Sequence, residues 1–436
     1  MKRTRPQFTP EALFGNVKGV FKEYTSDKQG QYGISTADCL MSAFAMFSMK
    51  YPSLLQFDQA RKHKVLSHNL KTLYGVASIP CDTYMRERLD GQPIELVRKA
   101  IKPLIGELQR SKALEQWKVL GKYYPVSLDA TGFFSSDKVH CESCCEKIHK
   151  KGTKEEYTNY HHQILVGVIV HPDMRQVLPI GFEPIIKADG STKNDCERNG
   201  AKRWLKNFRE AHPQLPVIWL GDGLFSNAPF IQDVEAHRGK YILIAKENDH
   251  KCLYDYFWKA EDPDVVEFKE IVKGVQKRYR YMSHVPLNAS HPDLLVNVVF
   301  YEEIDKKNVK RQWLWVTNLE LTDHKIVKEI ARIGRCRWKI ENETFNTLKN
   351  QGYHYEHNFG HGYKTLSNLL AGLMLLAFLV DQCLEALTQE FKGALAKCGS
   401  RMVLWETLRF LFNWVLIDDW DQFYRSILDP PIFRFN

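Results

Sequence analysis

Two short runs of β-branched and apolar residues, each closing on an aspartate, constrain this chain more than any other feature. Val126-Ser-Leu-Asp-Ala-Thr-Gly132 carries Asp129, and Val217-Ile-Trp-Leu-Gly-Asp-Gly-Leu-Phe225 carries Asp222. Runs of this length and composition read as buried strands, so each carboxylate is expected at a strand end. A third acid, Glu341 in Arg337-Trp-Lys-Ile-Glu341, falls on a long pattern of helical period. A lone carboxylate beside an apolar run is common. Three of them on two strands and a later helix form an oxygen-ligand set that could clamp two divalent ions about 3.5–4 Å apart.

The surrounding pattern fills in a fold. Residues 8–120 read as helical, including a short capped helix at 82–89 that carries two arginines. Strands are expected at 124–128, 162–170, 176–182, 217–220 and 240–245, with helices at 195–211 and 227–237. Asn194 or Asp195 would cap the first of these helices. Residues 250–320 alternate like β-strands, 322–349 reads as one long helix, and helical segments follow near 365–388 and 402–414. Three hairpin-like strands, a helix, a strand, a helix and a strand is the order of an RNase H-like core. The expected class is therefore α/β: a mixed five-stranded sheet flanked by helices, with a β-rich insertion and an α-helical N-terminal domain. The expected divisions are a basic helical domain at 1–120, the first part of the core at 121–249, the insertion at 250–320, the rest of the core at 321–388 and a helical region at 389–436.

With those motifs in place, the chain resembles the DDE transposases of the insertion-sequence-4 type over roughly residues 120–380. The resemblance rests on the Leu-Asp-Ala-Thr-Gly strand, the Gly-Asp-Gly-Leu-Phe strand, the β insertion and the Arg-Trp-Lys-Ile-Glu-Asn helix. In that family the third acid sits in a Tyr-x2-Arg-x3-Glu-x6-Lys signature. Arg337 and Glu341 match it, the tyrosine position holds Gly334, and the lysine is Lys349, one residue late. The resemblance implies that Asp129, Asp222 and Glu341 are catalytic and hold two Mg²⁺ or Mn²⁺ ions. It also implies cut-and-paste transposition: cleavage and strand transfer at the terminal inverted repeats of an insertion sequence, joined to a target DNA by a protein dimer on DNA. A DNA-binding regulator derived from such an enzyme, and a structure-specific nuclease, are the alternatives. Glu343 is the rival third acid, but it points roughly 200° around a regular helix from Glu341. Arg337 and Lys349 are expected to hold phosphates, as is Arg198. Trp313 and Trp315 on the insertion are candidates for stacking on a base.

A separate cluster, His140-Cys141-Glu-Ser-Cys144-Cys145-Glu-Lys-Ile-His149 followed by His161-His162, has the Cys-x2-Cys spacing of a zinc half site. Cys141, Cys144, Cys145 and His149 are the expected Zn²⁺ ligands, stapling the loop at 140–162, with His140 or His161 as substitutes. The segment His354–Gly362 reads either as a turn or as a phosphate contact.

Charge points the same way. The net charge is +9, and residues 1–120 hold 19 Lys and Arg against 11 Asp and Glu, so the N-terminal third is the expected electrostatic footprint on DNA. The start is basic without a following apolar run, and the most apolar stretch, 366–380, suits a buried core helix better than a membrane span of about 20 residues. No membrane partner is expected. A cytoplasmic protein acting on chromosomal DNA, of prokaryotic type, is.

Overall fold

The computed structural model describes residues 8–24, 33–190, 192–261 and 263–430, and the basic start of the chain lies outside them. A helical body opens the chain: α1 (Pro10–Tyr24), α2 (Thr36–Ser48), α3 (Leu54–Ala60), α4 (Lys64–Tyr74), α5 (Asp82–Leu89) and α6 (Glu95–Arg110). Three of these helices start where a short polar side chain satisfies a free N–H group: Thr9 accepts from the Ala12 amide, Ser35 from the Asp38 amide at 2.9 Å and Ser53 from the Gln56 amide.

The expected strands then appear in order, with one more, Cys145–His149, inside the stretch at 140–162 that was expected to be a loop. β1 (Tyr124–Ser136), β2 (Cys145–His149), β3 (Tyr157–Ile169), β4 (Leu178–Ile185), α7 (Lys193–Ala211), β5 (Val217–Gly221), α8 (Ala228–Ala236) and β6 (Lys240–Ile244) follow one another. The side chains of Asn194 and Asp195, read from the sequence as the α7 cap, lie outside the described residues. β3 runs antiparallel to both β1 and β4, while β5 lies parallel to β1 and β6 parallel to β5. The spatial order β4-β3-β1-β5-β6 is the mixed five-stranded sheet of the sequence reading. β5 is buried at every position, as a central parallel strand covered on both faces must be.

The β-rich insertion extends this same sheet. After α9 (Lys251–Lys259) come β7 (Val265–Val272), β8 (Val275–Asn288), β9 (His291–Ile304) and β10 (Lys310–Thr317). β10 pairs antiparallel with β6, and the sheet continues through β9 and β8 to β7. Unpaired N–H and C=O groups on the outer edge of β6 are thereby satisfied.

The single long helix expected over 322–349 is a composite. α10 (His324–Arg335) passes through a 3₁₀ turn at Cys336–Trp338 and a π-helical turn at Ile340–Phe345 into α11 (Asn346–Asn350). The widened turn changes which residues share a face. Ile340, Thr344, Phe345, Thr347 and Leu348 are all buried while Glu341 stays exposed. Single π turns inside helices often mark functional positions. Lys339, itself buried, pins this stretch by donating to the carbonyls of His171, Pro172 and Met174.

α12 (Leu366–Leu387), α13 (Gln389–Cys398), α14 (Arg401–Trp414) and α15 (Trp420–Leu428) close the chain. α12 is 22 residues long and apolar enough by itself to cross a bilayer, but 94% of its most apolar window is buried inside the protein. The N- and C-terminal helices pack together: Phe14 stacks on Trp420 at 4.6 Å, and Asn69 donates to the Phe412 and Val415 carbonyls.

Candidate active site

The pairing of β1 with β5 sets the position of two acids. The last paired residues are Ser127 and Leu220, so two steps further along each strand Asp129 and Asp222 sit at one level. Adjacent strands lie about 4.8 Å apart. β5 ends at Gly221, whereas β1 continues to Ser136 along β3. Asp129 is therefore not at a strand end, as the sequence suggested; it sits where its parallel neighbour stops and leaves one edge of β1 open. Each aspartate accepts a local amide, Asp129 from Ala130 at 2.9 Å and Asp222 from Leu224 at 3.0 Å.

The third acid is reached through Arg337. Its guanidinium lies 2.7 Å from Glu341 Oε1 and 3.6 Å from Asp129 Oδ2, and its carbonyl accepts from the Ser127 hydroxyl on β1. Burial pushes the Asp129 carboxyl up to about 6; the Ala130 amide and Arg337 oppose the rise, and the charges of Asp222 and Glu341 add to it. The three acids thus share one electrostatic field. Glu343 is turned elsewhere, 3.3 Å from Arg175. A further carboxylate, Glu197 on α7, is buried, and its pKa is raised by that burial, with Lys193 opposing and Asp222 adding to it.

Of the other expected contacts, Arg198 is exposed on α7, and Lys349 pairs with Glu356 at 2.7 Å. Lys349 lines a broad open groove together with Lys147, Lys187 and Lys193. Of the two tryptophans, Trp315 offers no face for a base, whereas Trp313 is half-buried. Trp315 is fully buried and occupies the space above Gly334, where an added Cβ would lie 2.7 Å from the indole. This accounts for a glycine at the signature's tyrosine position. Trp313 is held between the Tyr301 ring at 5.7 Å and the Arg335 guanidinium at 4.7 Å. Trp315→Ala is accordingly expected to cost about 3–5 kcal/mol of stability, the usual loss for a buried tryptophan, as measured by urea unfolding.

The expected zinc ligands are also rearranged. Cys145 opens β2, and its thiol donates to the Ile185 carbonyl in a small cluster with Cys196. His149 stacks on Tyr157. Cys-x3-His suits one face of a helix, but this segment is a strand, where four residues span roughly 13 Å; Cys145 and His149 cannot share an ion. Instead Cys141 and Cys144 meet His162 of β3 and His361 of the α11–α12 loop. The proton shared between the two sulfurs holds the Cys141 thiol down and pushes Cys144 up. His162 was legible as part of the cluster, whereas His361 lies 217 residues beyond Cys144 and carried no signal beyond its flanking glycines.

Comparison with known proteins identifies the family. Among curated proteins none matches this sequence. A solved piggyBac transposase, from a synaptic complex with hairpin DNA, is similar at a TM-score of 0.42 and 10% identity, covering 100% of this chain and 84% of that one. The family model of the transposase DDE domain matches residues 126–379, a span that contains Asp129, Asp222 and Glu341. With more than half of its length inside that match, the chain belongs to the family of transposase DDE domains.

Proposed function

We propose that the chain is a cut-and-paste DNA transposase of the insertion-sequence-4 type, with Asp129, Asp222 and Glu341 as its catalytic carboxylates. The observation that carries this reading is the level placement of the two aspartates at the point where β5 ends, with Arg337 bridging Asp129 to Glu341. The donor set fits a hard divalent cation: all three groups offer carboxylate oxygens. Asp129, Asp222 and Glu341 would hold Mg²⁺ or Mn²⁺, which when bound lowers the pKa of an attacking hydroxyl and stabilises the departing oxygen.

The chain's own residues do the rest. Arg337 neutralises part of the acid cluster and, as a planar fork, suits a phosphate held beside it. Lys147, Lys187, Lys193 and Lys349 line the groove along which a DNA strand would run, with Arg198 contributing from α7. The basic helical region before residue 121 would grip the terminal inverted repeats. Bringing two ends and a target together calls for a dimer on DNA.

The test is a duplex carrying the flanks of the gene, incubated with purified protein and Mg²⁺ or Mn²⁺. Metal-dependent end cleavage and strand joining should appear. Glu341→Gln should lose both and keep DNA binding, while Glu343→Gln should cleave as the unaltered chain does. Cleavage that survives Glu341→Gln and disappears with Glu343→Gln would overturn the assignment of the third acid.

A further inference from the structure

Four side chains from three distant stretches converge on one small space. Cys141 and Cys144 lie in the turn before β2, His162 is on β3, and His361 is in the loop between α11 and α12. We propose that Cys141 Sγ, Cys144 Sγ, His162 Nε2 and His361 Nε2 form a closed tetrahedral Zn²⁺ centre. It is a soft-donor site, separate in chemistry from the carboxylate cluster and independent of any cleavage activity.

The distances fit. Zn–S bonds of about 2.3 Å and Zn–N bonds of about 2.0–2.1 Å in a tetrahedron set the sulfurs about 3.8 Å apart and each sulfur about 3.5 Å from a nitrogen. The two sulfurs are 3.8 Å apart. Cys141 and Cys144 each lie 3.4 Å from His162 Nε2, and Cys144 lies 3.4 Å from His361 Nε2. All four atoms fall within 4.8 Å of one another. A disulfide between the cysteines would need sulfurs about 2.05 Å apart, and both are free thiols.

The surroundings are those of a built site. His162 is 0% exposed, Cys144 2% and His361 6%, so four protein ligands fill the coordination sphere and leave no open position for chemistry, as in structural zinc sites. The Nδ1 atoms of both histidines are buried without a hydrogen-bond partner. The rings are fixed by packing instead, His162 parallel to Phe133 at 5.5 Å and His361 against Phe134 at 4.2 Å. The Cys141 amide donates to Cys144 Sγ at 3.4 Å, a contact that favours the thiolate.

The backbone is bent to deliver His361. Gly360 and Gly362 flank it at φ +148° and +67°, and a Cβ on Gly362 would lie 2.7 Å from Leu366 and 2.8 Å from Asp90. The same two loops are tied by the Glu142 amide to the Tyr363 carbonyl and by the Ser143 hydroxyl to the Lys364 carbonyl. The ion would therefore staple the segment after the Glu341 helical run to β3 and to the turn after β1. Binding releases the thiol protons to solvent, since the thiolate is the ligand.

The full chain, purified without chelators, should contain one zinc per chain by elemental mass spectrometry. Replacement by Co²⁺ should give the visible bands of a tetrahedral site and charge-transfer intensity for two thiolates. Cys144→Ser and His361→Ala should lose the metal; Cys145→Ser and His149→Ala should keep it. Because the first pair could also lose the fold, His361→Cys is the companion variant, expected to retain the ion and add the intensity of a third thiolate. A wild-type chain that holds no zinc and gives no charge-transfer band with Co²⁺ would overturn the proposal. So would metal that survives Cys144→Ser and is lost from Cys145→Ser.

Discussion

Asp129→Asn is expected to lower strand cleavage by about three orders of magnitude or more, the scale seen when one member of a catalytic set is removed, and at the same time to raise the melting temperature of the metal-free protein. The second effect follows from burial. The folded chain holds the Asp129 carboxyl at about 6, above its ordinary 3.8, because burial disfavours the charged form. A carboxyl whose folded pKa is raised binds its proton more tightly in the folded state. Its penalty is therefore absent below about pH 4, grows as pH rises through the interval up to about 6, and is complete above it. Roughly two units correspond to at most about 3 kcal/mol. The amide variant carries no such charge. It should melt a few degrees higher than the wild type at pH 7.5, with the gap closing near pH 4. Divalent ions should reverse the order by stabilising only the chain with the intact acid set. Calorimetric scans at the two pH values, with and without Mg²⁺, read all of this. A variant that melts lower than the wild type at pH 7.5 without metal would contradict the burial argument.

The second large effect is in the helical body. Lys50 is 1% exposed; its ammonium donates to Asp381 on α12 at 2.6 Å and to the Ser48 carbonyl at 2.8 Å, over the Tyr353 and Trp405 rings. Asp381 also accepts from the Tyr353 hydroxyl. Burial pulls the Lys50 pKa down and pushes the Asp381 pKa up, each opposed by the partner. Asp381→Ala leaves a buried ammonium without its counter-ion, and breaking such a pair costs about 3–5 kcal/mol. Lys50→Met with Asp381→Leu removes both charges and should recover most of that loss. Denaturant unfolding of the singles and the double closes the cycle; a double variant as unstable as the sum of the singles would show that packing, not charge, is at stake. The pair joins the end of α2 to α12, so its loss should loosen the N-terminal helices from the rest of the chain.

Much of the fold was legible because strand and helix periods are local. The runs around Val126 and Val217 are apolar at consecutive positions, as strands buried on both faces are, and the helical patterns between them fixed the order of the core. Two of the catalytic candidates followed from their place on those runs, and Glu341 from its helix. The sequence by itself therefore determined the five-stranded order, the acidic trio and the presence of a Cys-x2-Cys half site. Other features depended on contacts between residues far apart in the chain. Only the register of β1 on β5 set Asp129 level with Asp222, and only a π turn left Glu341 outward beside Arg337 while its neighbours were buried. Trp313 and Trp315 alternate on β10 as on a half-buried strand, but Gly334 arrives from α10 against Trp315, which is fully buried, and Arg335 against Trp313. The Cys and His cluster was decided the same way: a strand period carried Cys145 and His149 away from Cys141 and Cys144, and two glycines brought His361 in from beyond the helical run that carries Glu341. Local periodicity is written in neighbouring residues, whereas a ligand set or a covered ring depends on where separate elements come to rest.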